Sequence, residues 1–268
     1  MINILFIGPI DSSLQAHIEH HKNYLPFVSS EYNTLFVNTS GVYYRTYNVF
    51  KLVESFNNDC ETILYFTAGD WLGNNGNVVI YHDYFFKIYE IWDQKIEKQY
   101  NAILKPYRFN AFIYRYDSLE IDTLKSWTPN MKHYNSYYYC NSNYYNDHGL
   151  EKKYDILFYG TDCIKSYPLR NRLKRICNSL HEKGDIVFRH IKPSEGIKEV
   201  RLSKEINRSY LTIACKTSSH DRLLGKYTEI PFSNSCIIGD IPSRYRELYR
   251  NKMVEIDLEM SDSEIIYN

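Results

Sequence analysis

Residues 154–160, YDILFYG, decide the fold. Apart from Asp155 the run is apolar or aromatic and closes on a glycine, the pattern of a strand covered on both faces that ends in a tight turn. A helix is predicted from about Leu169 to Glu182, and strand, glycine turn and helix together open a parallel sheet with crossover connections. The N-terminus carries the same opening, with Asn3–Ile7 as a strand and GPIDSS as the turn that follows it. The cycle therefore starts twice, and the chain reads as two Rossmann-like halves.

Further strands are predicted in the first half at Thr34–Asn38, Thr62–Phe66, Val78–Tyr81 and Ala111–Tyr114. Phe85–Leu104 reads as a long helix, because Tyr89, Trp92, Ile96 and Tyr100 recur at spacings of three and four. In the second half the strands fall at Asp185–Arg189, Leu211–Ala214, Cys236–Gly239 and Met253–Ile256. Helices fall at Ser203–Asn207, Lys226–Pro231 and Arg244–Tyr249. Lys132–Lys153, KHYNSYYYCNSNYYNDHGLEKK, is dense in Asn, Ser and Tyr without period and reads as a linker. The expected organisation is residues 1–131, a linker at 132–153, and residues 154–268.

With 268 residues and 44% hydrophobic content, each half has enough material for a core. Lysines plus arginines number 32, equal to aspartates plus glutamates, so no overall field draws the protein onto nucleic acid or an anionic membrane. The apolar start, MINILFIGPI, lacks the basic flank and cleavage site of a signal peptide, and no run reaches the roughly 18 apolar residues of a membrane span. The sequence predicts a soluble, cytoplasmic protein with no transmembrane segment. The six cysteines lie far apart without CxxC and read as reduced core residues.

The segment richest in chemistry is Gly225–Pro242, GKYTEIPFSNSCIIGDIP. A helix that opens after Gly225 offers free N–H groups, Lys226 adds a cation for a diphosphate, and Glu229 accepts from vicinal ribose hydroxyls. An ion pair on a solvated helix face is the plainer reading of Lys226 and Glu229. Candidate bases follow predicted strand ends in the first half: Asp11 after the first, Asp70 after the third, and His82 with Asp83 after the fourth. Asp11 with Ser12 and Ser13 also fits a helix cap. Adjacent residues of a strand point to opposite faces, which separates Asp83 from His82. His17, His20 and His21 read as a solvated helix face, since no second ligand cluster accompanies them. Tyr137–Tyr139, Tyr144 and Tyr145 read as packing over a seam between the halves.

KKYDILFYGTD with YPLRNRL, LSKEINRSYLTIAC, GKYTEIPFSNSCIIGDIP and MVEIDLEMSDSEI together resemble the GT-B glycosyltransferases, especially the CgeB-like group and its glycosyltransferase-family-1-like C-terminal domain. The likeness covers residues 150–268. In the first half it extends only to strand order and the Trp127-Thr128-Pro129 exit. The resemblance implies an α/β fold of two Rossmann-like domains facing each other across a cleft, with the donor bound by residues 154–268 and the acceptor side in residues 1–131. It gives Lys226 the phosphate and Glu229 the ribose, and it lines the diphosphate cleft with Gly160 and Arg170 or Arg172. Arg222 is a further phosphate candidate, as a loop residue able to reach phosphate oxygens bidentately or as a plain surface residue.

Two departures stand out. The chain stops at Asn268 without a helix crossing back, so either it is trimmed or its closure differs. Of the paired glutamates of the best-known retaining members, only Glu229 is clearly placed, which leaves stereochemistry open.

The function so implied is transfer of a sugar from a nucleoside diphosphate sugar to a glycan, lipid or protein acceptor. The donor is the co-substrate, and no DxD motif calls for a metal. A non-catalytic nucleotide- or glycan-binding protein is the second reading. A DNA-modifying glucosyltransferase ranks last, because residues 1–100 hold few basic residues and no nucleic acid partner is expected.

Overall fold

The computed structural model describes residues 2–8, 33–38, 47–48, 61–66, 78–79, 85–91, 109–114, 119–135, 140, 142–218 and 221–267. Two compact units divide between residues 136 and 137. Each is an α/β unit around a parallel sheet.

The first unit contains β1 (Asn3–Gly8), β2 (Asn33–Asn38), β3 (Tyr47–Asn48), β4 (Thr62–Phe66), β5 (Val78–Val79), β6 (Phe86–Ile91), β7 (Ala111–Tyr114), α1 (Leu119–Trp127) and β8 (Lys132–Asn135). Its main sheet has the order β2-β1-β4-β6-β7-β8, parallel throughout. The order reverses between β1 and β4, which makes their carboxyl ends the switch point where open α/β sheets hold ligands. Leu5, Leu64, Tyr89, Ile91 and Phe112 are fully buried, as are Ile121 and Leu124 of α1. Thr128 ends α1 by donating its hydroxyl to the Leu124 carbonyl at 2.7 Å, and its hydroxyl lies 3.1 Å from His133 Nε2 on β8.

Three expectations need correction here. Within Phe85–Leu104, read as a helix, residues 86–91 form β6 in the interior of the sheet. The spacing of Tyr89 and Trp92 with Ile96 and Tyr100 imitates an apolar helix face, yet Tyr89 lies on an interior strand whose charged residues Lys87 and Glu90 are buried as well. Of the predicted strand Val78–Tyr81, the described residues Val78–Val79 form β5, which pairs with β3 in a separate two-stranded sheet. Lys132–Asn135, read as the start of a linker, is the edge strand β8 in register with β7.

The second unit contains β9 (Tyr154–Tyr159), α2 (Pro168–Lys183), β10 (Phe188–Ile191), α3 (Glu199–Asn207), β11 (Ser209–Ile213), α4 (Lys226–Phe232), β12 (Cys236–Gly239), a 3-10 turn (Ser243–Tyr245) running into α5 (Arg246–Tyr249), β13 (Val254–Glu255) and α6 (Asp262–Tyr267). The sheet order is β10-β9-β11-β12-β13, again all parallel. Successive β9 side chains face opposite sides. Leu157 and Tyr159 pack with Ile206 of α3 and with Tyr227 and Ile230 of α4. Phe158 packs with Leu173 and Ile176 of α2 and with Ile265 of α6. Helices cover both faces, as an all-parallel sheet requires.

Pro168 in its first turn and the apolar stripe Leu169, Leu173, Ile176 and Cys177 account for α2. It ends where Gly184, at φ +82°, donates to the His181 carbonyl at 3.0 Å. At the far end of the sheet Gly239 approaches the β11 strand so closely that a Cβ would lie 1.8 Å from the Ala214 carbonyl oxygen.

The described remainder of the predicted linker, residue 140 and residues 142–153, belongs to this second unit. Asp147 accepts from Gly149 N, Asn207 Nδ2 and Asn234 Nδ2 at 2.9, 2.8 and 3.0 Å, and Tyr145 belongs to its core. Of the cysteines, Cys177 and Cys215 are buried as expected, whereas Cys163 and Cys236 are exposed; Cys60 lies outside the described residues. Among the described residues no helix is long and apolar enough to cross a membrane.

Candidate functional site

The second sheet reverses direction between β9 and β11, and the loops leaving these strands diverge there. Arg170, in the first turn of α2, ties the two loops together. It donates from Nη1 to the Thr161 carbonyl and from Nη2 to the Cys215 carbonyl, both at 2.9 Å, with its guanidinium 3.6 Å from the Tyr167 ring centroid. Arg170 is 2% exposed, and its Nε has no hydrogen-bond partner among the described residues.

α4 brings Lys226 and Glu229 to this opening, one turn apart on the same helix. Lys226 Nζ donates to the Tyr159 carbonyl at the end of β9 and lies 3.9 Å from the Tyr159 ring centroid. Gly160, at φ +87°, makes this approach possible, because a Cβ there would sit 3.0 Å from Lys226 Nζ. Glu229 Oε2 accepts the Tyr159 hydroxyl at 2.7 Å. Gly225 leaves room beside the other oxygen, 3.1 Å from where its Cβ would stand. With seven residues α4 is short, so the positive charge at this opening comes from the Lys226 side chain.

Lys226 and Glu229 both keep part of their surface in solvent, yet their ionisable ends are packed deeply enough for desolvation to dominate. Burial, reinforced by the Arg170 charge, lowers Lys226 to about 7, against the opposing pull of Glu229. Burial raises Glu229, offset by the Tyr159 hydroxyl and Lys226. Burial and then the Glu229 charge hold the Tyr159 phenol well above its usual range. The same two causes push up to about 12 the thiol of Cys140, which packs against the core cluster that includes Tyr159. The arrangement offers an ammonium whose charge is cheap to restore when an anion arrives, next to a carboxyl group able to accept from hydroxyls.

Gly160, Arg170, Lys226 and Glu229 thus converge. Arg172 does not join them: its Nε pairs with Asp262 at 2.7 Å and its Nη1 donates to the Leu258 carbonyl at 2.9 Å, tying α2 to α6. Arg222 is 6% exposed, which removes the surface reading of that side chain. Asp11, Asp70, His82 and Asp83 lie outside the described residues, as do His17, His20 and His21. The strand before His82 belongs to the small β3–β5 sheet, whereas Asp11 and Asp70 follow β1 and β4, the two strands at the first switch point.

Sequence reasoning missed Tyr159, which presents its carbonyl to Lys226 and its hydroxyl to Glu229. It also missed a cavity of about 330 Å³ beyond the β11, β12 and β13 ends, lined by Lys216, Asp240, Arg246, Glu255 and Asp257 among others. A signal for these was present, since each of Lys216, Asp240 and Asp257 lies within three residues of a strand end.

No protein-family model and no curated protein sequence matches the chain. Among solved structures it is similar to an alpha-glucosyltransferase in complex with UDP and a 13-mer DNA containing a central A:G mismatch. The two share 10% identity with a TM-score of 0.46, over 89% of this chain and 79% of that one. The fold itself, two successive α/β units on parallel sheets, stands on strand order and register.

Proposed function

We propose that the protein is a glycosyltransferase that takes a sugar from a nucleoside diphosphate sugar held by its second unit. The observation that carries this reading is the Lys226–Glu229 pair at the β9/β11 switch point, with Gly160 clearing the approach. Lys226 meets the diphosphate oxygens and Glu229 accepts from the ribose hydroxyls. Arg170 holds the two loops in place, and Arg222, from the segment before α4, is a further phosphate contact.

In the transfer, an acceptor hydroxyl oxygen forms the new bond to the anomeric carbon as the bond from that carbon to the diphosphate oxygen breaks. The electron pair leaves with the diphosphate, whose charge Lys226 offsets without calling on a metal. The hydroxyl proton passes to a base in the first unit. Asp11 is the first choice, because β1 borders that unit's switch point; His82 is the second. The acceptor is a glycan, lipid or protein.

Calorimetric titration with UDP, GDP and dTDP, for wild type and Glu229→Ala, tests the reading. One nucleotide is expected to bind in the micromolar range and to weaken at least tenfold in the variant, the loss expected when a carboxylate's hydrogen bonds to ribose disappear. Binding of none of them below about 1 mM would sink it.

A further inference from the structure

The cavity beyond β11, β12 and β13 is built by segments that the nucleotide pair does not use. Its wall takes Lys216 from the loop after β11, Asp240 from the end of β12, Arg246 from α5, and Glu255 and Asp257 from β13 and the residues after it. Leu169, Ile241 and Ile256, all buried, give it an apolar floor. It adjoins the switch point through the chain itself: Leu169 precedes Arg170, and Lys216 follows Cys215, the two residues whose contact bridges the loops.

The polar groups are held in place. The Lys216 backbone N–H donates to Asp240 Oδ1 at 2.9 Å, Lys216 Nζ pairs with Asp221 at 2.8 Å, and Arg246 pairs with Glu255 at 2.8 Å. Lining groups therefore count two cations against three carboxylates. Carboxylates accept from hydroxyls, guanidinium and ammonium groups donate to hydroxyl oxygens, and apolar side chains take up the C–H face of a ring. A volume of about 330 Å³ admits one pyranose with room for water. With the cations already paired and one negative charge in excess, a ligand bearing a carboxylate would meet uncompensated repulsion.

We propose that this cavity holds the sugar ring of the donor and selects an uncharged hexose over a uronic acid. Asp240 accepts from the ring hydroxyls and Arg246 donates to them. This rests on the donor-site reading above and adds to it the class of sugar transferred.

The test compares UDP, UDP-glucose and UDP-glucuronic acid, or GDP, GDP-mannose and GDP-mannuronic acid if guanine is the base preferred, in wild type, Asp240→Asn and Arg246→Ala. Asn keeps the Oδ1 acceptor that the Lys216 N–H needs, so Asp240→Asn removes the charge with little cost to the loop. The neutral sugar conjugate is expected to bind wild type about tenfold more tightly than the bare diphosphate, about one good hydrogen bond's worth. Both substitutions should abolish that increment and leave affinity for the bare diphosphate within about twofold, and the uronic acid conjugate should gain nothing.

A missing increment in wild type, an increment that survives both substitutions, or an equal gain from the uronic acid overturns the proposal. If no nucleotide binds at all, the donor reading fails and the cavity is judged alone, by following backbone amide resonances during titration with methyl α-glucoside. Shifts at Lys216, Asp240 and Ile256 that vanish in Asp240→Asn support a sugar cavity, and unmoved resonances refute it.

Discussion

Two half-buried lysines stand at opposite ends of the second sheet. At the amino end Lys152 directs Nζ to the carbonyls of Asn207, Ser209 and Asn234 at 2.7, 2.9 and 2.5 Å. Its three N–H bonds are all used, joining the end of α3, the start of β11 and the turn before β12. At the carboxyl end Lys226, among the described residues, has one carbonyl, that of Tyr159, and otherwise aromatic faces. Both side chains are disfavoured as cations by burial, and in both a carboxylate opposes that effect, Asp147 for Lys152 and Glu229 for Lys226. Burial is thus shared, and what differs is hydrogen-bond capacity left over. A lysine whose donors are saturated by backbone is a staple, whereas one with spare donors at a switch point is equipped for a ligand.

Breaking the staple should have the largest effect. Lys152→Met leaves three carbonyls without their donor and should cost roughly 3 kcal/mol of stability, at about 1 kcal/mol for each lost bond, as read by urea unfolding. Nucleotide affinity of the folded fraction should stay within about twofold. Lys226→Met should do the reverse. It should weaken diphosphate binding by roughly 30-fold, the loss of charge-assisted bonds worth about 2 kcal/mol. Its midpoint in urea should stay close to wild type at neutral pH, because the lysine already sits in a site that disfavours its charge. Equal loss of binding in both variants would erase the distinction between the two ends.

The sequence made the second unit more legible than the first, and the reason is local. β9 and β12 are short apolar runs closed by glycine, and both match their predicted bounds, as does the start of α4 at Lys226. β6 was hidden because a strand covered on both faces loses its alternation, and the spacing of Tyr89, Trp92, Ile96 and Tyr100 supplied a helical rhythm in its place. At the candidate site, Lys226 and Glu229 were drawn out by the helix that opens after Gly225, and Gly160 by the resemblance; the structure brings the three side by side. Arg172 was misplaced, since α2 residues two apart lie on different sides of the helix and only Arg170 turns to the loops. Tyr159 looked like core, and the cavity residues come from separate segments that only strand order brings together.

The most direct test of the donor site is calorimetry of diphosphate binding at pH 8, in two buffers of different ionisation enthalpy. Lys226, lowered to about 7, is mostly neutral in the free protein at that pH, and a bound diphosphate favours its ammonium form. The account predicts uptake of close to one proton per ligand bound, affinity that falls as pH rises above 7, and neither effect in Lys226→Met. Tight binding without proton uptake, or uptake that persists in Lys226→Met, would contradict it.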